Sequence, residues 1–310
     1  MVVFKELLIE SYFDSSALSI GSFDGLHLGH LEVLDKLNTV AKIKNIPSII
    51  VTFDPHPKSV LNTYPNSNWK MITSLNKKLE LLELIGIDYV WLVPFNKDFA
   101  KISAEKFLEK YIIEYFKPKD IVMGYDHQFG NNRKGDEEFL NRNSIEYNYN
   151  LHVVDPFYIN NSSVSSTKIR SYLQDYNLNL ANALLGREYE IEGVVIKGEG
   201  LGAKMNFPTA NICPLNKNQL IPPNGVYCVD LEFDNTKYLS MCNIGSRPTF
   251  YKNGQKVIEV HIIDNNNFNL LNKEIKVIFK KFLRKERKYD NADDLINQLK
   301  LDKQLCLENY

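Results

Sequence analysis

The stretch "SIGSFDGLHLGH", Ser19 to His30, sets two imidazoles three residues apart inside a run of glycines. At i and i+3 of a helix, His27 and His30 share one face. Three chemistries suit that spacing: half of a metal site, a phosphate site at a helix N-terminus, or an ordinary helix start. A zinc site needs a third ligand, and no nearby His, Cys or acidic cluster completes one in the sequence. The phosphate reading draws on the unsatisfied N–H groups and partial positive charge of a first helical turn. Gly21 and Gly25 permit backbone that bulkier residues resist, and Gly29 removes a side chain where a ligand would approach. On this stretch alone, a phosphate site and a helix start stand level.

Further segments carry comparable chemistry. "VTFDPHP" puts His56 in a proline-rich turn, and "MGYDHQFGNNRKG" ends an apolar run with Asp126 and a glycine-rich basic loop. "SSVSSTKIRSYL" offers Ser165, Ser166 and Thr167 as helix caps, followed by Lys168 and Arg170 in the first turn. Cations there oppose the helix dipole, which makes sense if an anion is bound. Later, "KGEGLGAKMNFPTANI" places Gly198, Gly200 and Gly202 before a Pro-Thr-Ala-Asn element. The glycines can cradle phosphates. Pro208 fixes φ, and Thr209 and Asn211 alternate so that both oxygens face one side. Neutral oxygens beside a phosphate loop suit Mg²⁺, and the plainer alternative is a turn followed by a strand. "VIEVHIID" sets Glu259 on one strand face with Val257, His261 and Ile263. Buried, that carboxylate is a general base for a hydroxyl; exposed, it is merely solvated.

The elements that must position these residues fall into two patterns. "ALSIGSF", a helical run from Leu28 to Lys44 with Leu31, Leu34, Leu37 and Ala41 at helical spacing, "PSIIVTF", "NKKLELLELIG", "DYVWLVPF", "SAEKFLEKYIIEYF" and "DIVMGYD" alternate strand with helix. Continuous apolar strands of this kind predict a doubly wound parallel sheet covered on both faces. "NSIEYNYNLHVVD" reads as a further strand, and two short helices follow between Ser166 and Leu185. From Glu188 the pattern becomes "EYEIEGVVI", "GVYCVDLEF", "KYLSMCNIG", "VIEVHIID" and "EIKVIFKKFL", which predicts a small antiparallel barrel or sandwich. A terminal helix with an Asn291 cap closes the chain, and the domain boundary is drawn at Leu185 to Arg187.

Composition narrows the function classes. A chain of 310 residues, 44% hydrophobic and 24% charged, suits two globular domains. With 37 Lys and Arg against 38 Asp and Glu, it lacks the basic excess a polyelectrolyte partner demands, so nucleic acid is disfavoured. Cys213, Cys228, Cys242 and Cys306 form no Cys-x-x-Cys and read as reduced, mostly buried thiols. "MVVFKELLIESYFD" has no apolar signal core, and no apolar run reaches the ~18 residues of a membrane span. The expectation is a cytoplasmic protein with no membrane partner.

In this order, "GSFDGLHLGH", "TFDPHP", "GYDHQFG" and "SSTKIR" resemble the adenylyltransferase half of bacterial bifunctional riboflavin kinase/FAD synthetases. His-x-Gly-His is shared by many nucleotidyltransferases, whereas the four motifs together are specific and span nearly all of the first domain. "FPTANI", "NGVYCV", "NIGSRPTF", "IEVHIID" and "FLRKERKYDNADDLINQLKLD" resemble the riboflavin kinase half and cover most of residues 188–303. The resemblance implies a Rossmann-like nucleotidyltransferase domain over 1–185 and a riboflavin kinase-like β-barrel with terminal helix over 186–310. It implies phosphorylation of riboflavin to FMN and adenylylation of FMN to FAD, with ATP as co-substrate and Mg²⁺ as cofactor. His27 and His30 would then stabilise charge on the α-phosphate, while Thr167 and Arg170 hold the β- and γ-phosphates. Gly21, Phe23, Asp24, Gly25, Gly29, Ser166 and Asp126 would line the nucleotide site, with shaping of the turn as the alternative role for Asp24. In the second domain Gly198, Gly202 and Lys204 would hold nucleotide, Thr209 and Asn211 the Mg²⁺, Glu259 would be the base, and Arg284 would lie at the flavin. The chain departs from the family at Ser162, Ser163, His127, Gln128, Ala203 and Asn206. Two rivals compete with the bifunctional enzyme: a single-activity enzyme, and a non-catalytic flavin-binding protein.

Overall fold

The computed structural model describes residues 1–7, 13–61, 69–198, 200, 202–246, 256–263 and 268–308, without the side chains of 203 and 204. The segment "RPTF" and Asp264 therefore lie outside the described residues, as does the Lys204 side chain. Two compact units are present, Met1–Ser166 and Thr167–Tyr310. No helix among the described residues is long and apolar enough to cross a membrane.

The first unit contains β1 (Val2–Phe4), β2 (Ser16–Ile20), α1 (Leu28–Lys44), β3 (Ser48–Asp54), α2 (Pro57–Leu61), α3 (Leu75–Ile85) and β4 (Tyr89–Pro94). A helical run follows, α4 (Ala104–Phe107), a π-helical stretch Leu108–Ile113 and α5 (Glu114–Phe116), then β5 (Pro118–Gly124), α6 (Glu137–Tyr147) and β6 (Asn150–Val154). A small hairpin, β7 (Tyr158–Ile159) and β8 (Ser162–Ser163), ends the unit. The sheet runs β1-β4-β3-β2-β5-β6, with every pairing parallel. From β2 the chain winds outward through β3 and β4, then returns to the other side of β2 with β5 and β6. The strand order therefore reverses between β2 and β5, which is where a doubly wound sheet opens its ligand crevice.

All five residues of β2 are buried, because helices cover both sheet faces. Leu18, Ile20, Ile49, Val51 and Trp91 pack toward Phe107, Ile112 and Phe116, while Ala17, Ile50, Val90 and Val122 pack toward Val33, Leu34 and Leu37 of α1. Alternate strand residues thus feed opposite cores, as the two-residue period demands. The helix expected from Leu28 to Lys44 is found with those bounds. The strand expected to begin near Asn143 starts only at Asn150. Asp136 caps α6 by accepting from the Phe139 N–H at 2.9 Å, and Glu137 and Glu138 favour its first turn, so helix persists through Tyr147.

Near the amino-terminal end of β5, Asp120 ties α1 and β6 to that strand. Its carboxylate is fully buried and lies 2.6 Å from Lys44 Nζ, 2.8 Å from His152 Nε2 and 3.2 Å from Asn150 Nδ2. Burial works to raise its pKa, but the His152, Lys44 and Asn150 contacts outweigh it and hold the carboxyl below its usual range.

The second unit begins with the body of α7 (Ser166–Gln174) and α8 (Leu178–Leu185), the two short helices expected there. Six strands follow: β9 (Tyr189–Ile196), β10 (Ala210–Pro214), β11 (Gly225–Phe233), β12 (Thr236–Ser246), β13 (Lys256–Ile262) and β14 (Glu274–Arg284). They close into an antiparallel barrel, β10-β13-β12-β11-β14-β9, with Ile191, Val229, Leu231, Ile258, Val260, Val277 and Phe279 buried. α8 docks on it through Asn182, whose Nδ2 donates to Phe279 O at 3.0 Å and whose Oδ1 accepts from Tyr189 N at 2.8 Å. The terminal helix α9 (Ala292–Glu308) starts at Asn291, whose Oδ1 accepts from Asp294 N at 2.8 Å. Its Cys306 is buried with Cys228, Met241 and Ile263, and all four cysteines are free thiols.

Asp120→Asn should destabilise the first unit by about 3 kcal/mol, the usual cost of stripping one partner from a buried ion pair. Both tryptophans, Trp69 and Trp91, lie in this unit, so a denaturant titration followed by fluorescence reads it directly. Because the folded carboxyl lies below its ordinary value of 3.8, its contribution is complete above that pH and is lost as pH falls through the folded value. An unchanged midpoint for the variant at neutral pH would refute the argument.

Candidate functional site

The first site is built by the loop that leaves β2 at the reversal point. Gly21 N–H donates to Val51 O at 2.9 Å, extending the β2–β3 pairing by one bond. The chain then folds back through three left-handed residues, Phe23 (φ 46°), Gly25 (φ 92°) and Leu26 (φ 39°). Gly25 takes that conformation without cost. Phe23 and Leu26 do not, and both are buried in the core against α1, which offsets the strain. Asp24 is buried as well, and its Oδ1 accepts from Ile72 N at 2.9 Å and Thr73 N at 3.3 Å. Ser166 Oγ donates to Asp24 O at 2.8 Å, bringing the end of the unit to the same loop. Asp24 and Ser166 thus shape the turn from two sides.

His27 caps α1. Its Nδ1 accepts from His30 N–H at 3.3 Å, so a neutral His27 carries its proton on Nε2 and is a donor there. The His27 and His30 rings stack with centroids 3.6 Å apart and 12° between planes, and Phe23 meets His30 edge-on at 5.4 Å. Gly21 and Gly29 each face one of these rings. A Cβ at Gly21 would stand 2.8 Å from the Phe23 ring, and one at Gly29 would stand 3.4 Å from His27. Lys78, expected only as part of a helical run, is buried beneath the loop with its Nζ 2.7 Å from Ser22 O. No sequence pattern marks it, because its partner is 56 residues away.

Across the reversal point, the loop after β5 presents an exposed Asp126. Next to it His127 lies against the Phe129 ring at 6.1 Å. Its Nε2 is shut from solvent with no hydrogen-bond partner among the described residues. Burial, with a smaller push from Arg133, lowers its pKa to about 4, so it is neutral at physiological pH. Thr167 and Arg170 lie on α7 in the second unit.

The second site is a row of residues drawn across the barrel by strand register. Asn211 on β10 stands opposite Glu259 on β13, and Glu259 stands opposite Asn243 on β12. Asn243 pairs with Val226 on β11, and Val226 with Arg284 on β14. Directly opposed residues share a sheet face. Their neighbours Ile258, Val260 and Ile262 fill the barrel, so the row lies on its outer surface. Asn243 went unread in the sequence, since only pairing reveals that it flanks Glu259.

Glu259 is half-buried and Thr209 exposed, while Asn211 is buried. The glycine loop lies over this end. A Cβ at Gly198 would stand 2.1 Å from Asn211 Nδ2, a distance no side chain allows. At Gly202 it would stand 2.3 Å from Phe207 O and 3.3 Å from Thr209 Oγ1. Beside Glu259, His261 is buried and its Nδ1 lies 2.8 Å from Pro208 O, with the ring 5.0 Å from Phe207. Burial is the main reason its pKa is lowered, so a neutral His261 donating from Nδ1 pins the Pro-Thr-Ala-Asn element. At the other end of the row, Arg284 Nε and Nη2 donate to the buried Asp302 of α9 at 3.0 and 2.7 Å. This bidentate pair fixes the guanidinium's orientation.

His127→Phe should flatten the pH dependence of the first unit's stability. The folded pKa of about 4 lies below the ordinary 6.5, so the unfolded chain binds the proton first as pH falls, and stability drops between those values. Between pH 7 and pH 5 the wild type should lose roughly 2 kcal/mol that the variant keeps. Fluorescence-monitored denaturation at the two pH values measures it, and equal losses in both proteins would contradict the assignment.

Comparison with known proteins follows the same division. Residues 10–168 match the family model described as FAD synthetase, and residues 185–309 match riboflavin kinase. The chain is 36% identical over 292 residues to a bifunctional riboflavin kinase/FMN adenylyltransferase of Buchnera aphidicola subsp. Schizaphis graminum, covering 93% of this chain and 92% of that protein. The corresponding protein of Bacillus subtilis is 35% identical over 305 residues, covering 98% and 95%. That of Escherichia coli K12 is 34% identical over 298 residues, covering 96% and 93%. A crystal structure described as a macrolide-efflux protein from Streptococcus pneumoniae matches over 100% of both chains, with a TM-score of 0.89 and 29% identity. With two adjoining family models and relatives aligned almost end to end, the chain belongs to the bifunctional riboflavin kinase/FMN adenylyltransferase family.

Proposed function

We propose that the chain makes FAD from riboflavin in two ATP-dependent steps, kinase chemistry in the barrel unit and adenylyl transfer at the β2–β5 reversal. The observation that carries this reading is the separation of two chemistries. A carboxylate stands between two amides on the barrel surface, and a donor pair of histidines caps a helix in the sheet unit. Binding alone requires no base, so Glu259 argues against a merely flavin-binding protein.

In the kinase step, Glu259 takes the proton from the ribityl 5′-hydroxyl of riboflavin as that oxygen attacks the γ-phosphorus. The bond from γ-phosphorus to the β-bridging oxygen breaks, giving FMN and ADP. Thr209 and Asn211 offer neutral oxygens next to the glycine loop, where Lys204 is proposed to add positive charge toward the phosphates. No three His, Cys, Asp or Glu side chains come together as a metal set among the described residues. A cation held by Thr209 and Asn211 would therefore take its other ligands from phosphate and water, as Mg²⁺ does, and would neutralise phosphate charge. Gly198 and Gly202 keep the loop close to Asn211 and Thr209. Arg284, oriented by Asp302, is proposed to meet the flavin at the far end of the row.

In the adenylyl step, an FMN phosphate oxygen attacks the α-phosphorus of ATP and the α–β bridging bond breaks, giving FAD and pyrophosphate. The protein supplies alignment and charge stabilisation rather than a nucleophile. His27 Nε2–H and His30 donate to the α-phosphate oxygens. Phe23, Gly25 and Gly29 shape the pocket, and Asp126 orients the nucleotide. The ligands are small molecules, with no nucleic acid or membrane involved, and the setting is the cytoplasm.

Chromatography of flavins after incubation with riboflavin, ATP and Mg²⁺ should show FMN and then FAD. FMN without FAD would sink the bifunctional reading, and FAD from supplied FMN alone would sink the kinase half. Glu259→Gln should abolish FMN formation yet leave FAD formation from added FMN intact. His30→Ala should do the reverse, slowing adenylylation by about 10²–10³ while sparing the kinase. Parallel loss of both activities in either folded variant would refute the assignment of two sites.

A further inference from the structure

We propose that Lys78 is a positioning residue for adenylyl transfer: its buried ammonium clamps the Ser22 carbonyl and so holds the Gly21–His27 loop in the shape that presents His27 and His30. The inference rests on reading those histidines as the adenylyl site.

The loop needs such a clamp. It leaves a fully buried strand, turns through left-handed Phe23, Gly25 and Leu26, and must deliver His27 as the cap of α1. Non-glycine residues hold left-handed conformations only where surrounding contacts over-determine them. Lys78 Nζ donates to Ser22 O at 2.7 Å and lies 3.5 Å from Thr52 Oγ1. Thr52 is itself buried, and its Oγ1 donates to the same carbonyl at 3.3 Å. Two donors therefore converge on one carbonyl at the point where the chain departs from β2. The preceding residues Ile72 and Thr73 hold Asp24 by their N–H groups, so residues 72–78 grip the loop at two places.

The charge of Lys78 is itself informative. The side chain is 5% exposed, and burial lowers its pKa, while the Asp24 and Asp54 carboxylates work against that shift. An apolar side chain of similar length would fill the space without the desolvation cost. What it would not supply is a donor to Ser22 O or positive potential under a loop that faces polyphosphate. Both are properties of the site rather than of the core.

The test uses the full-length protein with Lys78→Met. Adenylylation of FMN should lose about 10² in kcat, the scale of an ångström-level misplacement, with a much smaller change in KM for ATP. Riboflavin phosphorylation by the same preparation should be unchanged. Since Lys78 acts through the loop that carries both histidines, adding Lys78→Met to His30→Ala should cost only what misplacing His27 still costs, short of the product of the single losses. Multiplicative losses, or a wild-type adenylylation rate in Lys78→Met, would overturn the proposal. If Lys78→Met lowers the fluorescence-monitored stability so far that the first unit unfolds, Thr52→Val removes one donor from the same carbonyl at matched shape. It should slow adenylylation several-fold in the wild-type background and by a smaller factor beside His30→Ala, and a wild-type rate in Thr52→Val would overturn the clamp. Full adenylylation by His30→Ala would instead show that the underlying site reading is at fault.

Discussion

A strand buried on both faces must satisfy its backbone at both edges, and β2 meets that demand only by lying between β3 and β5. Everything at the first site follows from this one arrangement. Because the sheet is extended outward on one side and then on the other, the loop after β2 and the loop after β5 leave the sheet side by side. His27 and Asp126 are 99 residues apart in sequence yet emerge from adjacent strands. The buried strand also leaves the loop no freedom at its origin, so the fold-back is forced into left-handed backbone within a few residues of the last pairing bond.

The barrel solves the equivalent problem by closure. Once six strands pair around a ring, each residue has fixed neighbours on both sides, and a row on the outer face inherits its spacing from backbone hydrogen bonds. Asn211, Glu259 and Asn243 are held at strand separation by that means. The interior residues between them, such as Ile258 and Val260, guard the register, because a one-residue slip would send Glu259 inward and an isoleucine outward.

Much of this was legible in the sequence, and the reasons for the remainder are physical. Local signals carried α1 with its bounds, the short helices between Ser166 and Leu185, the Asn291 cap and the strand residues around Glu259. Those signals are periodicity and capping, which act over a few residues. The helix over Glu137–Tyr147 was missed because its polar surface hides the period, though Asp136 and the two glutamates behind it were a readable start. Lys78, Asn243 and the Asp302 partner of Arg284 were invisible for a different reason. Each is defined by a residue far away in sequence, and composition holds no record of which strands become neighbours.

The Arg284–Asp302 pair has a consequence for what closing the barrel achieves by itself. Arg284 ends the last barrel strand, but its guanidinium is oriented by a carboxylate 18 residues further on, in the final helix. Six strands pair into a closed ring, and α9 adds to it the carboxylate that fixes the guanidinium. The guanidinium of Arg284 is therefore oriented only where the helix that shelters Cys306 has packed on the barrel.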